Sequence, residues 1–447
     1  MKTLVMKFGG TSVGNAARIR EVAQIVASRQ GAKRVVVVSA MAGVTNTLFE
    51  MAEAAHTHNL DKAIQLLSKV EQIHLEAARS LEIATPECIG NIKQIVENLQ
   101  RRMQGIDLLG ELSQRTMDEI ASAGERLSSI LVAGFMGCPL VDARTIIRTD
   151  SHFGSARPKL AAIKKFVALH LVPLLDSYDV VVTQGYIGSD DANDTTTLGR
   201  GGSDYSAGLL GAALQANEIE IWTDVEGIMT ADPRVVPAAR TVEILSYEEA
   251  AELASYGAKV LHPATVRPAL DAGVPVTIRS TFKPSGMFST ISPGESSGRP
   301  CVAIAMRRNV VILSVTQESM TDQAGFLARL FDVFGRRGIS VDLVSTSEIS
   351  VSVSLDKSAP LDALTQELEK LGKVSIAHDR AVIAVVGDLL RKTPEVLHTT
   401  FTAIDGIPVD LISMGANAIN LSLIVQEQDA ERAMRNLHAA FFEGGTQ

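Results

Sequence analysis

The chain has 447 residues, too many for one compact core, so two or three domains are expected. Hydrophobic residues make up 46% and charged residues 21%, the balance of a folded globular protein, and a net charge of −9 argues against a dedicated nucleic-acid binder. No apolar run approaches the roughly 20 residues of a membrane span, and Lys2 and Lys7 interrupt the stretch a signal peptide would need. Cys88, Cys138 and Cys301 are far apart, form no metal-ligand spacing and read as reduced thiols. A cytoplasmic protein without membrane or nucleic-acid partners is the expectation.

In chain order, Thr3–Phe8 predicts a short strand that ends in Gly9-Gly10-Thr11-Ser12 and leads into a helix reaching about Ser28. Arg34–Ser39 is a near-continuous valine run, as in a parallel strand covered on both faces. From Leu48 to about Phe135 apolar residues recur at helical spacing among many charges. Strands resume at Leu140–Asp142, Val180–Thr183, Ile219–Thr223 and Val274–Ile278 with helices between them. This alternation defines an α/β class, an αβα sandwich on a mainly parallel sheet. The stretch 283–300 is dense in Ser, Gly and Pro and marks a boundary. We therefore expect a first domain over 1–285, a linker over 286–300 and a C-terminal region over 301–447. In that region Val310–Val315, a helix at Gly325–Arg336, strands Ser340–Val344 and Ile349–Leu355, a helix at Leu361–Leu371 and a strand at Ala381–Val386 read as βαββαβ, a ferredoxin-like unit over about 310–388. A second unit over about 389–447 has helices Pro394–Ala403 and Ala430–Phe441 and strands Val409–Met414 and Ala418–Val425. It lacks an obvious first and last strand of its own; 301–307 could supply one of them, which would nest the first unit inside the second.

Four motifs carry chemistry. Lys7-Phe8-Gly9-Gly10-Thr11-Ser12 puts a lysine and two glycines at the end of a strand. Backbone N–H groups of Gly9 and Gly10 can there approach phosphate oxygens, and the ammonium can offset charge on a transferred phosphoryl group. Thr195–Asp204, TTTLGRGGSD, offers Gly201 and Gly202 at a turn into a helix, with Arg200 and Ser203 suited to a substrate carboxylate. Asp204 would be repelled by phosphates unless it serves Lys7 or a magnesium ion, so an organising role is assigned to it. Read by itself the stretch is a Gly-rich turn with an aspartate at a helix start. Trp222–Arg234 follows a strand, placing Thr223, Asp224, Gly227 and the turn Asp232-Pro233-Arg234 where ligands of α/β sheets collect. The fourth motif, Gly257–Pro263, carries Lys259, which read singly is a surface lysine. There is no P-loop, no protein-kinase signature and no dinucleotide fingerprint.

Occurring together in this order, KFGGTS, AGVTN, TLGRGGSD, WTDVEGI…ADPR, GAKVLHP and ISVDLVSTSEISVSV closely resemble the aspartokinases, specifically the monofunctional lysine-inhibited class of the amino-acid kinase superfamily. The resemblance covers essentially the whole chain. It implies transfer of a phosphoryl group from ATP, with Mg2+, to the β-carboxylate of L-aspartate. Lys7 matches the catalytic lysine, and Asp204 the residue that organises it. Thr45, Glu125, Arg200, Gly201, Gly202 and Ser203 match aspartate-binding positions, and Thr223, Asp224, Arg234 and Lys259 nucleotide-binding ones. Met229 stands where the family usually has tyrosine in the nucleotide loop, which implies altered ATP affinity. The C-terminal pair resembles ACT domains. Met320, Gly325, Phe326, Leu327, Val341, Asp342, Ser347 and Glu348 match the positions of an allosteric L-lysine site, although Phe326, Leu327 and Val341 also read as core. A homodimer through the ACT domains is implied, with a dimer of dimers as the alternative; no protein metal site is expected. Two competing readings are a kinase acting on glutamate or acetylglutamate, against which the ACT pair and TSEIS stand, and a catalytically dead lysine sensor. Intact Lys7, Arg200 and Asp204 oppose the second, and Met229 is the residue in its favour.

Overall fold

The computed structural model describes residues 2–257, 263–292, 297–317, 325–415 and 418–443. They form two compact units, one of Met1–Ile228 with Val260–Glu295 and one of Met229–Lys259 with Ser296–Gln447. No helix among the described residues is long and apolar enough to cross a membrane.

In the first unit the β-branched runs become β1 (Lys2–Phe8), β2 (Ala32–Val38), β3 (Leu140–Val141), β4 (Val180–Gln184), the hairpin β5 (Ile187–Ser189) and β6 (Thr195–Thr197), and β7 (Glu218–Thr223). The main sheet runs β3-β4-β2-β1-β7, continues through Val276–Ser280 and then Ser289–Ile291, and is parallel except at that last pairing. The strand expected from Val274 starts two residues later, after Pro275, which has no N–H to give a ladder. The β5–β6 hairpin was not anticipated, because its threonines read as loop; they are buried and paired in register with Ile187–Ser189.

The long charged helical stretch is divided by its caps. Asn15 caps α1 (Ala16–Ser28), α2 (Val44–His56) starts behind Gly43, and Asn59 caps α3 (Leu60–Ser80). Thr85 caps α4 (Pro86–Leu109), with proline in the first turn and left-handed Gly110 at its end. Ser113 caps α5 (Gln114–Met136), which ends on Gly137. These helices cover one face of the sheet, where Leu4, Met6 and Phe8 of β1, Val36 and Val38 of β2, and Trp222 of β7 enter their core. Strand alternation sends Val5 and Lys7 to the other face, beside their register partners Ile219 and Ile221. The helix Gly202–Leu214 covers that face, coming so close that a Cβ on Gly211 would lie 2.4 Å from Ile219. Lys7 therefore faces the helix that carries Asp204.

The second unit holds one six-stranded antiparallel sheet that serves two ferredoxin-like modules. Two 14-residue strands, Ala303–Thr316 and Lys373–Val386, cross both. Residues 310–316 and 373–380 join Ser350–Asp356 and Val344–Thr346 in the first module. Residues 303–307 and 381–386 join Asn420–Gln426 and Val409–Met414 in the second. The first module is thus nested in the second. Each long strand changes module at a left-handed residue, Asn309 (φ 60°) or Asp379 (φ 52°). The first strand of the inner hairpin, expected at Ser340–Val344, pairs only from Val344, since the N–H groups of Asp342 and Leu343 turn instead to the carbonyl and hydroxyl of Ser354. Residues 229–259 belong to this unit because Ala231 and Val236 enter the core of the second module with Ile304, Ile383 and Leu437. Thr230 also hydrogen-bonds buried His438 at 2.9 Å.

Candidate active site

The carboxyl ends of β1, β2 and β4 and the first turn of the Gly202–Leu214 helix surround a cavity of about 440 Å³ in the first unit. On its wall Lys7 Nζ meets Asp204 Oδ1 at 2.5 Å, with side-chain exposures of 11% and 13%. The helix starts at Gly202, inside the glycine turn, which puts Asp204 in the first turn rather than at the cap. The cap is Gly201, at φ 70°, a left-handed backbone that L side chains rarely adopt. Arg200 and Ser203 flank this turn, and both line the cavity.

The KFGG turn is locked to its neighbours. The Gly9 N–H donates to the Trp222 carbonyl at 3.2 Å, and the Gly10 carbonyl accepts from Ala42 N–H at 3.1 Å. A side chain on Gly10 would put a Cβ 2.8 Å from the Ala40 carbonyl oxygen, so only glycine lets the ends of β1 and β2 approach this closely. Thr223 ends β7, the strand beside β1, and Asp224 follows it, with the Thr223 hydroxyl 3.1 Å from Asp224 Oδ1. These four positions lie on the same sheet edge as Lys7 but do not line the cavity.

Thr45 enters the cavity from the first turn of α2. Glu125 enters from α5 and is buried. Its Oε1 accepts the Ala40 N–H at 3.1 Å, while Oε2 has no hydrogen-bond partner. Burial pushes this carboxyl up to about 8, so at neutral pH it is held mainly as the acid. Sequence reasoning missed Ser39, Phe49, Gly154, Tyr186 and Gly199, which also line the cavity. Ser39 and Tyr186 follow the valine runs of β2 and β4, and their place at the ends of parallel strands was the available signal.

The remaining expected residues lie elsewhere. Met229 and Arg234 belong to the second unit. There the Met229 sulfur accepts the Thr241 hydroxyl at 3.6 Å, and the Arg234 guanidinium forks onto Asp232 at 3.0 and 2.6 Å. Lys259 and Met320 fall outside the described residues. Gly325, at φ 86°, caps the helix Phe326–Arg336; Phe326 is buried in the first module's core and Leu327 is exposed. Val341 packs at the edge of that core. Asp342 is held by Arg307 at 2.6 Å, so an incoming ammonium would have to exchange with a guanidinium. The Ser347 hydroxyl pairs with that of Ser350 at 2.8 Å, and the neighbouring Glu348 is exposed.

This arrangement, a lysine–aspartate pair where glycine turns meet parallel strand ends, is that of a phosphoryl-transfer fold, and the comparisons agree. Residues 2–280 match the amino acid kinase family, and residues 313–366 and 383–441 match the ACT domain. The chain is 37% identical to lysine-sensitive aspartokinase 3 of Escherichia coli over 459 residues, 98% of this chain and 99% of that protein. It is also 37% identical to the chloroplastic aspartokinase 2 of Arabidopsis thaliana over 466 residues, 99% of this chain and 84% of that one. Crystal structures of the E. coli aspartokinase III with aspartate and ADP in the R-state and with lysine and aspartate in the T-state superpose with TM-scores of 0.84 and 0.83. They are 35% and 36% identical to this chain, and in each case the match covers 99% of this chain and 100% of the solved one. The chain belongs to the amino acid kinase family, in its aspartokinase branch.

Glu125 yields a stability prediction. Its folded-state value of about 8 lies above the ordinary 4.5, so between these pH values the folded protein holds a proton that the unfolded chain releases. The Glu125 contribution is full below about 4.5 and is lost as pH rises to about 8. Glu125→Gln removes this dependence. Urea unfolding at a series of pH values should show the variant gaining on the wild type as pH rises through that window, with no further change above it.

Proposed function

We propose that the chain is an aspartate kinase. It transfers the γ-phosphoryl group of ATP to the β-carboxylate of L-aspartate, giving 4-phospho-L-aspartate and ADP, and L-lysine inhibits it through the ACT modules. This is the first step toward the aspartate-family amino acids lysine, threonine and methionine, carried out in the cytoplasm by a homo-oligomer assembled through those modules. The observation that carries the reading is the Lys7–Asp204 pair on the wall of a cavity that also gathers Thr45, Glu125, Arg200 and Ser203.

The nucleophile is already a carboxylate, so no general base is needed. A carboxylate oxygen bonds to the γ-phosphorus while the bond to the bridging oxygen of ADP breaks, and catalysis is positioning plus charge neutralisation. Lys7 supplies a fixed cation for the charge on the moving phosphoryl group, and Asp204 holds its Nζ in place. The planar fork of Arg200 suits the substrate α-carboxylate, and Ser203 adds a hydroxyl beside it. Glu125 Oε2 has an open acceptor for the α-ammonium; because the free carboxyl is largely protonated at pH 7, substrate binding would release a proton. Gly9, Gly10, Thr223 and Asp224 are assigned to the nucleotide, with Met229, Arg234 and Lys259 as further contacts. A magnesium ion would arrive with the nucleotide, coordinated by its phosphates and water, and would neutralise their charge. In the regulatory region we assign the effector to Met320, Gly325, Phe326, Leu327, Val341, Asp342, Ser347 and Glu348. Asp342 and Glu348 provide charge for the lysine side chain.

The test is ADP release by the full chain with Mg-ATP and L-aspartate, with hydroxylamine trapping the acyl phosphate. We expect aspartate-dependent hydroxamate that L-lysine suppresses. Absence of turnover with lysine still bound would replace the kinase with a sensor. Turnover indifferent to lysine would keep the kinase and remove the effector assignment. Glu348→Ala should then raise the lysine concentration needed for half-inhibition by about tenfold, the loss of one charge-assisted hydrogen bond, with uninhibited turnover unchanged. An unaltered inhibition curve would place the effector elsewhere.

A further inference from the structure

Tyr186 combines two features that single it out on the cavity wall. Its backbone is left-handed at φ 69°, a strained conformation for a residue other than glycine. It is clamped from both sides, its N–H donating to Ser206 Oγ at 3.0 Å and its carbonyl accepting from Leu198 N–H at 2.9 Å. The ring lies against Gly202, where an added Cβ would come within 2.6 Å of a ring carbon. The phenol interacts with the Thr197 side chain. Thr197, fully buried in β6, donates its hydroxyl hydrogen to Asp118 Oδ1 at 2.8 Å and its N–H to Asp118 Oδ2 at 2.9 Å. With that hydrogen committed to Asp118, the Thr197 oxygen is left to act toward the phenol only as an acceptor.

Asp118 is 2% exposed and does not line the cavity. It stands two turns before Glu125 on the same face of α5. Both of its oxygens also lie 3.0 Å from the N–H of Gly154, which does line the cavity. Burial raises this carboxyl, and the three donors from Thr197 and Gly154 oppose that shift. One buried carboxylate thus ties down two separate parts of the cavity wall.

We infer that Asp118 is a positioning residue for the amino-acid substrate, setting the Tyr186 phenol through the Thr197 hydroxyl and the 152–155 loop through the Gly154 N–H. The inference rests on the kinase reading for the identity of that substrate. It does not rest on it for the anchoring itself, so two measurements separate them. In hydrogen exchange of the ligand-free full chain, the Gly154 and Thr197 amides should be protected in the wild type and lose protection together in Asp118→Asn. Loss at only one of them would overturn the shared anchor whatever the substrate is.

The second measurement is steady-state kinetics, with wild-type turnover of L-aspartate as the control on the kinase reading. Tyr186→Phe and Thr197→Val should each raise KM for aspartate about three- to tenfold, the range one hydrogen bond carries. The turnover number should stay within about twofold and KM for ATP should not change. The double variant should be no worse than the worse single one, because both cut the same relay. Thr197→Ser, which keeps the hydroxyl, should restore the wild-type KM. An unchanged KM in Tyr186→Phe, additive losses in the double variant, or a parallel rise in KM for ATP would overturn the relay.

Discussion

The site depends on a cation held 2.5 Å from a carboxylate, both nearly out of water. Neither ion is stable there alone; breaking a buried pair by removing one partner costs about 3–5 kcal/mol. The pair demands that the end of β1 and the start of the Gly202–Leu214 helix meet on one face of the sheet. Strand alternation puts Lys7 on that face, and left-handed Gly201 starts the helix early enough for Asp204 to reach it. Gly10 lets the neighbouring strand ends close up. The pair gives the cation a fixed partner on the cavity wall, as preorganised charge stabilisation requires.

Around this pair, three carboxyl groups occupy three environments and take three roles. Asp204 is neutralised by an ion pair. Asp118 is buried but fed by backbone and hydroxyl donors. Glu125 is buried with one donor and one open oxygen, and it alone is pushed far toward the acid form. The first two are structural members of the cavity. The third is the one we propose changes protonation when an ammonium group enters.

Much of this was legible in the sequence. Lys7, Arg200 and Asp204 stand out because glycine turns between strand and helix are local features. The parallel sheet follows from the valine runs, and the nested ACT topology from a missing strand and a spare one at 301–307. Glu125 and Thr45 could be assigned only through the family resemblance, since a helical glutamate is usually solvated. Asp118 and Tyr186 escaped altogether. Nothing local marks a helix aspartate as buried or a tyrosine as left-handed, because both go with contacts further along the chain: Asp118 with Gly154 and Thr197, 36 and 79 residues away, and Tyr186 with Leu198 and Ser206, 12 and 20 residues away. The 14-residue strands hid the change of module, since a strand that serves two modules has no break in its apolar pattern. Residues 229–259 lie within the kinase stretch of the sequence but pack with the second unit through Ala231 and Val236.

We propose that Lys7 carries the chemistry and that Asp204 acts through it. The most direct measurement is turnover of Lys7→Ala, Asp204→Asn and the double variant, with the folded state of each checked by thermal melting. Lys7→Ala should lower the turnover number by about 10²–10³-fold, as for loss of one preorganised charge-stabilising group. The double variant should match Lys7→Ala alone, because Asp204 has no role once the lysine is gone. Near-normal turnover in Lys7→Ala, or a double variant whose loss is the product of the two single losses, would contradict it.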